Sequence, residues 1–267
     1  MEKLSLIKRQ INIFIKTSIQ QEVAFRFNFA VKILNSLVQL AGSVGGILIL
    51  FSIKNSINGW SFYETLTVTG VFMLLQSIKN LFMAPSLSAI SGLGGELWTG
   101  EFDFTLIKPV STQLYMSMKH WSLMSLVDMV VSIVILCIAV VNLEIVQTAG
   151  SILLFVLCLS IALLILYSIM LILSSAAFWY LGTPLLWVLD SIMELGRYPV
   201  KIYPLAFCNI LTWIIPIGIM ITIPAEVLIG SVNVIEILIG FLLAIALYTL
   251  AVAFLKKSIK KYSSASS

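Results

Sequence analysis

Apolar residues along the chain are gathered into six long runs, which short polar segments separate. Each run contains about 20 residues or more, the length that a helix needs to cross a bilayer. The runs are residues 30–51, 62–81, 114–141, 150–179, 203–223 and 234–255. The pattern therefore predicts an all-α, polytopic membrane protein with six transmembrane helices.

A different pattern precedes the first run, over residues 1–29. Apolar side chains recur there at helical spacing, with lysine, arginine and asparagine between them. The apolar positions are Leu4, Ile7, Ile11, Phe14 and Ile15. A helix of this kind lies in the plane of the membrane interface, with its basic groups toward anionic headgroups. We expect an amphipathic cytoplasmic helix that contacts membrane lipid and either anchors the topology or also binds a cytoplasmic partner.

Lysine and arginine are unevenly distributed between the two sets of alternate loops. Fifteen of the sixteen lie in or beside the loops that share a side with both termini, and only Lys54 lies in a loop on the other side. Cytoplasmic loops are enriched in these residues, so both termini are predicted to be cytoplasmic. We therefore expect a helix at 1–29, a six-span domain at 30–255 and a basic cytoplasmic tail at 256–267, in a bacterial inner membrane.

The composition excludes several classes of protein. Apolar residues make up 60% and charged residues 10% of the chain, and the mean hydropathy is +1.08, unlike an ordinary soluble domain. The net charge of +4 follows from the topology and does not indicate a nucleic-acid partner. His120 is the only histidine, and the three cysteines lack metal-ligand spacing. We expect no catalytic site, no metal and no cofactor in this chain.

Prolines and glycines interrupt the apolar pattern before the last run. Pro216, Pro224 and Gly230 fall within the stretch 214–233, which also carries Glu226. Proline removes a backbone hydrogen bond and kinks a membrane helix. We expect a broken or partly re-entrant element on the outer side, the alternative being a kinked helix followed by a tight loop.

Charged residues near the spans are few. Asp128 lies within the third run, where an acidic residue costs about 2.5–3.5 kcal/mol at the helix centre. It is either an ion or proton site or the acceptor of a structural hydrogen bond from a neighbouring serine or threonine. Asp190 and Glu194 are four residues apart, with Arg197 three beyond, and predict one charged helix face. We place them in an inner interfacial segment, 181–202.

The cytoplasmic loop 84–112 contains the most distinctive segment of the chain. Glycines lead into a short amphipathic stretch that Pro109 ends, and there is no Gly-Lys pair of the kind that a phosphate-binding loop needs. The apolar side chains of the stretch are Leu97, Trp98, Phe102, Phe104 and Leu106. Exposed aromatic groups on such a loop indicate docking of another protein. The alternative is a loop that packs on its own helices.

Two motifs resemble a known family. The first is Glu96-x-x-x-Gly100 followed by Phe102-Asp-Phe-x-Leu106-x-Lys-Pro109. It is similar to the loop Gly-x-Leu-Asp-x-x-Leu-x-Arg-Pro of bacterial ABC exporter permeases of the type-2 (ABC-2) class, with Lys108 where arginine is usual and Phe102 where leucine is usual. The second is Arg197-Tyr-Pro-Val-x-Ile-Tyr-Pro204, continuing through Ile-Pro216 to Pro224-Ala and Leu-x-Gly230. That family has Tyr-Pro-x-x-Ile-Tyr-Pro and similar later elements.

The resemblance implies a permease subunit that neither binds nor hydrolyses ATP. It would pair with a second permease chain, identical or related, and with two ABC ATPase subunits that bind ATP and Mg. A coupling helix would be seated in the ATPase and would rock the permeases between two directions of access. The coupling contacts would come from Glu96, Trp98, Gly100, Glu101, Phe102, Asp103, Leu106, Lys108 and Pro109.

The second motif has implied roles as well. Pro216, Pro224, Glu226 and Gly230 would form an outer gate. The inner interfacial motif would consist of Arg197, Tyr198, Pro199, Tyr203 and Pro204. Export as the direction of transport comes from the resemblance alone, and an apolar passage would suit an amphiphilic or hydrophobic cargo.

Two other functions are compatible with the residues. An ion- or proton-coupled secondary transporter or channel would use Asp128 as its site and would need no ATPase. A membrane assembly or immunity factor would keep its function without an ATPase and without transport.

Overall fold

The computed structural model describes residues 2–23, 26–54, 56–231 and 233–262, and it describes side chains from residue 10 onward except those of 21–29. The described chain is helical, without a strand. Its α-helices are α1 (Glu2–Val23), α2 (Arg26–Ile53), α3 (Phe62–Ile78), α4 (Ala84–Ser91), α5 (Glu96–Thr99), α6 (Phe102–Leu106), α7 (Thr112–Met118), α8 (Ser125–Val141), α9 (Ala149–Ala176), α10 (Leu185–Met193), α11 (Leu205–Asn209), α12 (Ile223–Ile229) and α13 (Val234–Lys261).

Shorter helical pieces interrupt this series. The π-helical turns are Lys79–Met83, Ile210–Ile214 and Gly218–Thr222, and the 3₁₀ turns are Glu194–Arg197 and Val200–Ile202. The first π turn joins α3 to α4, so the two form one long, continuous element. The remaining pieces all lie between α10 and α12, where the sequence carries Pro199, Pro204 and Pro216.

The lengths of the helices confirm a multi-pass membrane protein. Four helical elements in the described ranges are long and apolar enough to cross a bilayer: Ala30–Ile53, Phe62–Thr99, Ala149–Ala176 and Val234–Lys261. A bent pair, Leu205–Ile214 with Gly218–Ile229, makes a fifth if it is counted as one span. Helix α8 has 17 residues, about the lower limit for a span. The number of six spans and the cytoplasmic position of the termini stay predictions.

Helix α3 is the most enclosed of the long helices. Every residue from Thr65 to Ser77 is buried, and α8 packs along it with Leu136 against Gly70. Ser61 and Glu64 form a capping box that starts the helix. Two of the buried threonines bond back to the preceding turn: the Thr67 hydroxyl donates to the Tyr63 carbonyl at 2.8 Å and the Thr69 hydroxyl to the Thr65 carbonyl at 3.1 Å. Helix α3 is therefore the axis against which the rest of the bundle can be positioned.

The third apolar run is not one helix from 114 to 141, as its hydropathy predicts. The chain forms α7, turns at 119–124 and starts α8 at Ser125. The Ser122 amide donates to the Leu81 carbonyl at 2.8 Å, and the His120 amide donates to the Ser86 hydroxyl at 2.9 Å. These bonds hold the turn beside the π turn that follows α3. Helix α7 thus belongs to the polar end of the bundle, which we call the loop end.

The structure corrects the placement of residues 181–202 at an inner surface. Gly182 lies against Leu93 and Trp98 at the loop end. Further along, Asp190 pairs with Lys79, and Thr69 donates to the Arg197 carbonyl at 2.9 Å. At the opposite end, the side-chain amide of Asn58 donates to the Ile202 carbonyl at 3.1 Å. The segment therefore runs antiparallel to α3 through the whole bundle, and we call it the crossing segment.

Residues 203–223, predicted to be the fifth span, follow the crossing segment and fold differently. The helical stretches Leu205–Ile214 and Gly218–Ile229 meet at an angle of 81°. The second stretch ends beside the 142–148 loop, where the Gln147 side chain donates to the Leu228 carbonyl at 2.8 Å. The first stretch starts next to Ile202, at the same end of the bundle. The pair thus enters and leaves at one end, and we call it the bent pair.

The close contact between α3 and α8 gives a test of the packing. A β-carbon added to Gly70 would lie 3.2 Å from the Leu136 α-carbon, which is backbone and cannot rotate away. We expect Gly70→Leu to lower the free energy of unfolding by about 1–3 kcal/mol, the usual cost of overpacking. Gly42→Leu is the matched control, because an added β-carbon there meets open space. Equal melting temperatures of the two variants in detergent would contradict this packing.

Candidate functional site

The loop that carries the first sequence motif folds into a compact cap at the loop end. Helices α5 and α6 are short, and Gly100 between them has φ +79°, a left-handed conformation that favours glycine. The change of direction at Gly100 lets α5 and α6 pack against each other rather than continue as one helix. Pro109 follows the end of α6 and precedes α7.

Glu96 is an internal support of this cap. Its carboxylate is buried, accepts a hydrogen bond from the Thr105 hydroxyl at 3.0 Å and pairs with the Lys119 ammonium at 2.5 Å. Burial lowers the pKa of Lys119, but the bond and the charge of Glu96 more than offset this effect, so the pKa lies above its usual value. The assignment of Glu96 to a partner contact is therefore corrected: Glu96 joins α5, α6 and the end of α7.

Phe102 is the second internal support. Its ring is fully buried and makes edge-to-face contacts with Phe178 and Tyr262, at centroid distances of 5.0 and 5.3 Å. These rings follow α9 and α13, so the cluster connects the cap to the ends of two long helices. Burial, together with the negative charge of Asp103, raises the pKa of the Tyr262 hydroxyl. The assignment of Phe102 to a partner surface is also corrected, since its ring has no accessible surface.

Other apolar side chains of the cap point outward. They form what we call the docking ridge: Leu93, Trp98, Phe104, Leu106 and Ile107. Ile107 is the most exposed of them at 79%, and sequence reasoning missed both it and Leu93. Ile107 follows Phe104 by three residues, about one helical turn, and this spacing could have indicated that both side chains lie on the same exposed face. Glu101 is exposed beside the ridge, which leaves an apolar surface with an acidic border.

Tyr115 of α7 contacts both Lys108 of the cap and Phe14 of α1. The Lys108 ammonium lies 4.1 Å from the centroid of the Tyr115 ring and contacts the Tyr115 hydroxyl. Phe14 of α1 meets the same ring edge to face at 5.6 Å, and Ser18 accepts from the Trp121 amide at 3.1 Å. Helix α1 therefore rests on α7. The predicted apolar positions Leu4 and Ile7 lie outside the described side chains.

Asp128 has two partners among the described side chains, both from α2. Its carboxylate pairs with the Lys32 ammonium at 2.5 Å and accepts a short hydrogen bond from the Ser36 hydroxyl. The expected structural bond from a neighbouring serine is present. The basic partner was missed, because Lys32 stands at the start of the first apolar run and is 96 residues away in the sequence. The charge of Asp128 is therefore compensated within the chain.

Further ion pairs lie along the crossing segment. Lys79, 2% exposed, pairs with Asp190, 48% exposed, at 2.5 Å between Nζ and Oδ1. Arg197 binds Glu194 and donates to the Ser43 hydroxyl on α2 at 2.9 Å. These contacts join the crossing segment to α3 and α2. Tyr198, next in the motif, lies against Gly46 of α2.

An ion pair joins the end of the crossing segment to the second helical stretch of the bent pair. Lys201, 50% exposed, lies 2.5 Å from the carboxylate of Glu226, which is 3% exposed. The motif residues Tyr203 and Pro204 follow directly and lead into α11, and Pro199 separates the two 3₁₀ turns. The five residues of the predicted inner interfacial motif therefore lie in the crossing segment or just beyond it, away from the loop end.

The four predicted gate residues are not all together. Pro224 lies in the first turn of α12, Glu226 follows it, and Gly230 ends the helix with φ +75°. Pro216 lies instead at the bend of the pair, toward the middle of the bundle. There it lines an apolar cavity of about 310 Å³ with residues of α9, α10 and α13. The structure thus groups Pro224, Glu226 and Gly230 at one end and places Pro216 apart from them.

The pairing of Lys79 with Asp190 predicts unequal effects of mutation. Asp190→Leu leaves a buried ammonium without a counter-charge and should lower the free energy of unfolding by about 3–5 kcal/mol. Lys79→Met leaves only a half-exposed carboxylate and should cost clearly less. The double variant should be more stable than Asp190→Leu alone. Thermal unfolding of the three purified variants tests this order, and an equal loss for both single variants would contradict it.

His120 predicts a pH dependence of stability. Burial and the positive charge of Lys119 lower its pKa below the usual value of about 6.5, against an opposing effect of Glu96. The unfolded chain therefore takes up this proton at a higher pH than the folded chain does. Stability should fall as the pH decreases from about 6.5 through the lower folded pKa. His120→Gln should remove this part of the dependence in melting curves between pH 5 and 7.5, and an unchanged slope would contradict the prediction.

Comparison with known proteins identifies a family for this chain. A family model described as an ABC-2 family transporter protein matches residues 37–266. No curated protein and no solved structure matches the chain. The matched range includes the cap, the crossing segment and the bent pair, and it starts within α2.

Proposed function

The chain belongs to the ABC-2 family of transporter proteins, and we propose that it is the membrane-spanning permease subunit of an ATP-driven exporter. Two ATPase subunits on the cytoplasmic side would bind ATP and Mg and hydrolyse the nucleotide. A second permease chain, identical or related, would complete the passage. The closure of the ATPases would then move this chain between inward and outward access.

The observation that carries the proposal is the two-sided structure of the cap. The apolar side chains of the docking ridge are 37–79% exposed, which is the form of a partner site. Behind it, Glu96 and Phe102 tie the cap to α7, α9 and α13. A push on the ridge would therefore move the long helices rather than deform the loop. This combination suits a lever between an ATPase and the membrane domain.

The crossing segment supports the presence of a second permease chain. Asp190, Glu194 and Lys201 are each about half exposed in the single chain, although the segment runs along the apolar bundle. Charged groups at membrane depth face a protein interior or a water-filled cavity rather than lipid. We therefore place the exposed side of the crossing segment against the partner permease and the passage between them.

The bent pair supports a gate at the end away from the cap. It enters and leaves at that end, and Lys201 clamps it to the crossing segment through Glu226. A movement of the crossing segment would be transmitted directly to α12. We assign the gate to Pro224, Glu226 and Gly230, with Pro216 at the hinge where the two stretches meet.

An ion- or proton-coupled transporter is the second candidate function, with Asp128 as its site. The contacts of Asp128 favour a structural role, since Lys32 and Ser36 already satisfy the carboxylate. We expect the double variant Lys32→Met/Asp128→Leu to keep transport activity, whereas an ion-coupled transporter would lose it. Transport in cells before and after dissipation of the proton gradient separates the two functions.

The docking ridge gives the decisive test of the exporter. The chain is purified in mild detergent from its native cells, and the co-purifying proteins are identified by mass spectrometry. Phe104→Asp/Ile107→Asp should remove a Walker-type ATPase from the preparation, because two charges on an apolar contact cost several kcal/mol when desolvated. The melting temperature should hardly change, since both side chains are exposed.

Two comparisons make this result specific. Val146→Asp, at an exposed apolar position at the opposite end, should retain the ATPase. Phe102→Ala should lower the melting temperature, by loss of about 3–5 kcal/mol from a buried aromatic ring. Recovery of the wild-type chain without any ATPase would refute the exporter, and retention of the ATPase by the double aspartate variant would refute the docking ridge.

A further inference from the structure

A cavity of about 510 Å³ lies beside the cap and is separate from the crossing segment. Its walls come from the π turn after α3, from α7 with the preceding Ser111, from α9 and from α13. The cavity is therefore lined both by elements of the loop end and by two of the long membrane helices. Its size is within the range of small-molecule sites, about 300–1,000 Å³.

The polar groups of this cavity are uncharged and lie close together. The Tyr167 hydroxyl lies 2.7 Å from the Ser117 hydroxyl and accepts from the Gln113 amide nitrogen at 3.3 Å. The same amide nitrogen lies 3.4 Å from the Tyr248 hydroxyl. The rest of the described lining is mainly apolar and includes Phe82, and none of the described side chains that line the cavity carries a charge. Such a site suits a ligand with an uncharged hydrogen-bonding group and a hydrocarbon part.

The depth of the cavity places it in the leaflet at the loop end. Tyr167 lies about 27 Å along α9 from its start at the opposite end, at 1.5 Å per residue. The hydrocarbon core of a bilayer is about 30 Å thick, so this level is close to the boundary with the headgroups. Trp121, whose ring lies 5.5 Å from that of Phe82, is an aromatic side chain typical of that boundary.

The cavity is open to the outside of the bundle on one side. Ser160 is exposed at its rim, and Tyr248 is partly exposed. One turn further from the cap on the same helix faces, Leu157 and Ile245 are exposed and apolar. A hydrocarbon chain could extend along these side chains while a polar group enters the cavity.

We propose that this cavity binds an amphiphile through an uncharged ester, amide or hydroxyl group, with its hydrocarbon chain along α9 and α13. Gln113, Ser117, Tyr167 and Tyr248 provide the hydrogen bonds, and the leaflet at the loop end supplies the ligand. The ligand is either the glycerol-ester region of a membrane phospholipid or a freely exchanging amphiphile of the same chemistry. Binding depends on the permease chain itself and not on ATP hydrolysis.

Two probes distinguish these sources, on the complex purified from native cells and placed in lipid nanodiscs. The first is phosphatidylglycerol with a photoreactive diazirine close to one ester. The second is Nile red, an uncharged fluorescent amphiphile that accepts hydrogen bonds. Cross-linked peptides are identified by mass spectrometry, with 111–118 and 156–167 as the expected positions. Nile red binding is measured by saturation of its fluorescence.

Ser160→Phe should block the opening, and Val134→Phe, at an exposed position on α8 away from the cavity and from the proposed path of the hydrocarbon chain, is the matched control. Ser117→Ala/Tyr167→Phe keeps the shape of the cavity and should weaken binding roughly fivefold or more through lost hydrogen bonds. Cross-linking that both variants reduce and the control retains supports the phospholipid. Saturable Nile red binding with the same pattern, without cross-links, supports an exchanging amphiphile. Cross-linking and fluorescence that neither variant changes overturn the proposal, whether or not an ATPase co-purifies.

Discussion

The buried ammonium of Lys79 is the constraint on which the arrangement of the membrane helices depends. An uncompensated charge in the interior would cost several kcal/mol, so a carboxylate has to lie within reach. Asp190 supplies it, and the pair fixes the crossing segment against α3. The contacts of Arg197 with α2 and of Lys201 with α12 then follow along the same segment. In both ion pairs the half-exposed member, Asp190 or Lys201, belongs to the crossing segment. The buried member, Lys79 or Glu226, belongs to a helix packed behind it. The buried helices are therefore held by a segment whose charged side can face water.

The cap offers a surface for a partner, and the crossing segment connects that cap to the bent pair. The cap has an apolar outer surface and an interior of ion pairs and aromatic rings, so a partner can bind it without disturbing its structure. The crossing segment starts against the cap, where Gly182 lies beside Trp98, and ends against the bent pair. A continuous path of packed elements therefore leads from the surface proposed for the ATPase to the surface proposed for the gate.

Hydropathy was sufficient to predict the long helices α2, α3, α9 and α13 and the all-α class. It was misleading for 181–202, because the charges of Asp190 and Arg197 look like those of a surface helix when their partners on α3 and α2 are 111 and 154 residues away in the sequence. It also could not separate Phe102, which is buried, from Phe104, which is exposed. Helix α6 has five residues, too few for a periodic pattern to show which face is inside. The family resemblance drew attention to the loop that forms the cap, but the positions of its residues depend on contacts with Phe178 and Tyr262 that no local pattern contains.

The long separation between Lys79 and Asp190 has a consequence for biosynthesis. The two residues are 111 positions apart, and a ribosome adds about 5–20 residues per second, so α3 exists for roughly 6–22 s before its carboxylate partner has been made. During that time the lysine has to extend its side chain toward the headgroups at the loop end, which its position at the end of α3 allows. The bundle can close around α3 only when the crossing segment arrives. Assembly of this protein is thus a late event, timed by translation of its second half.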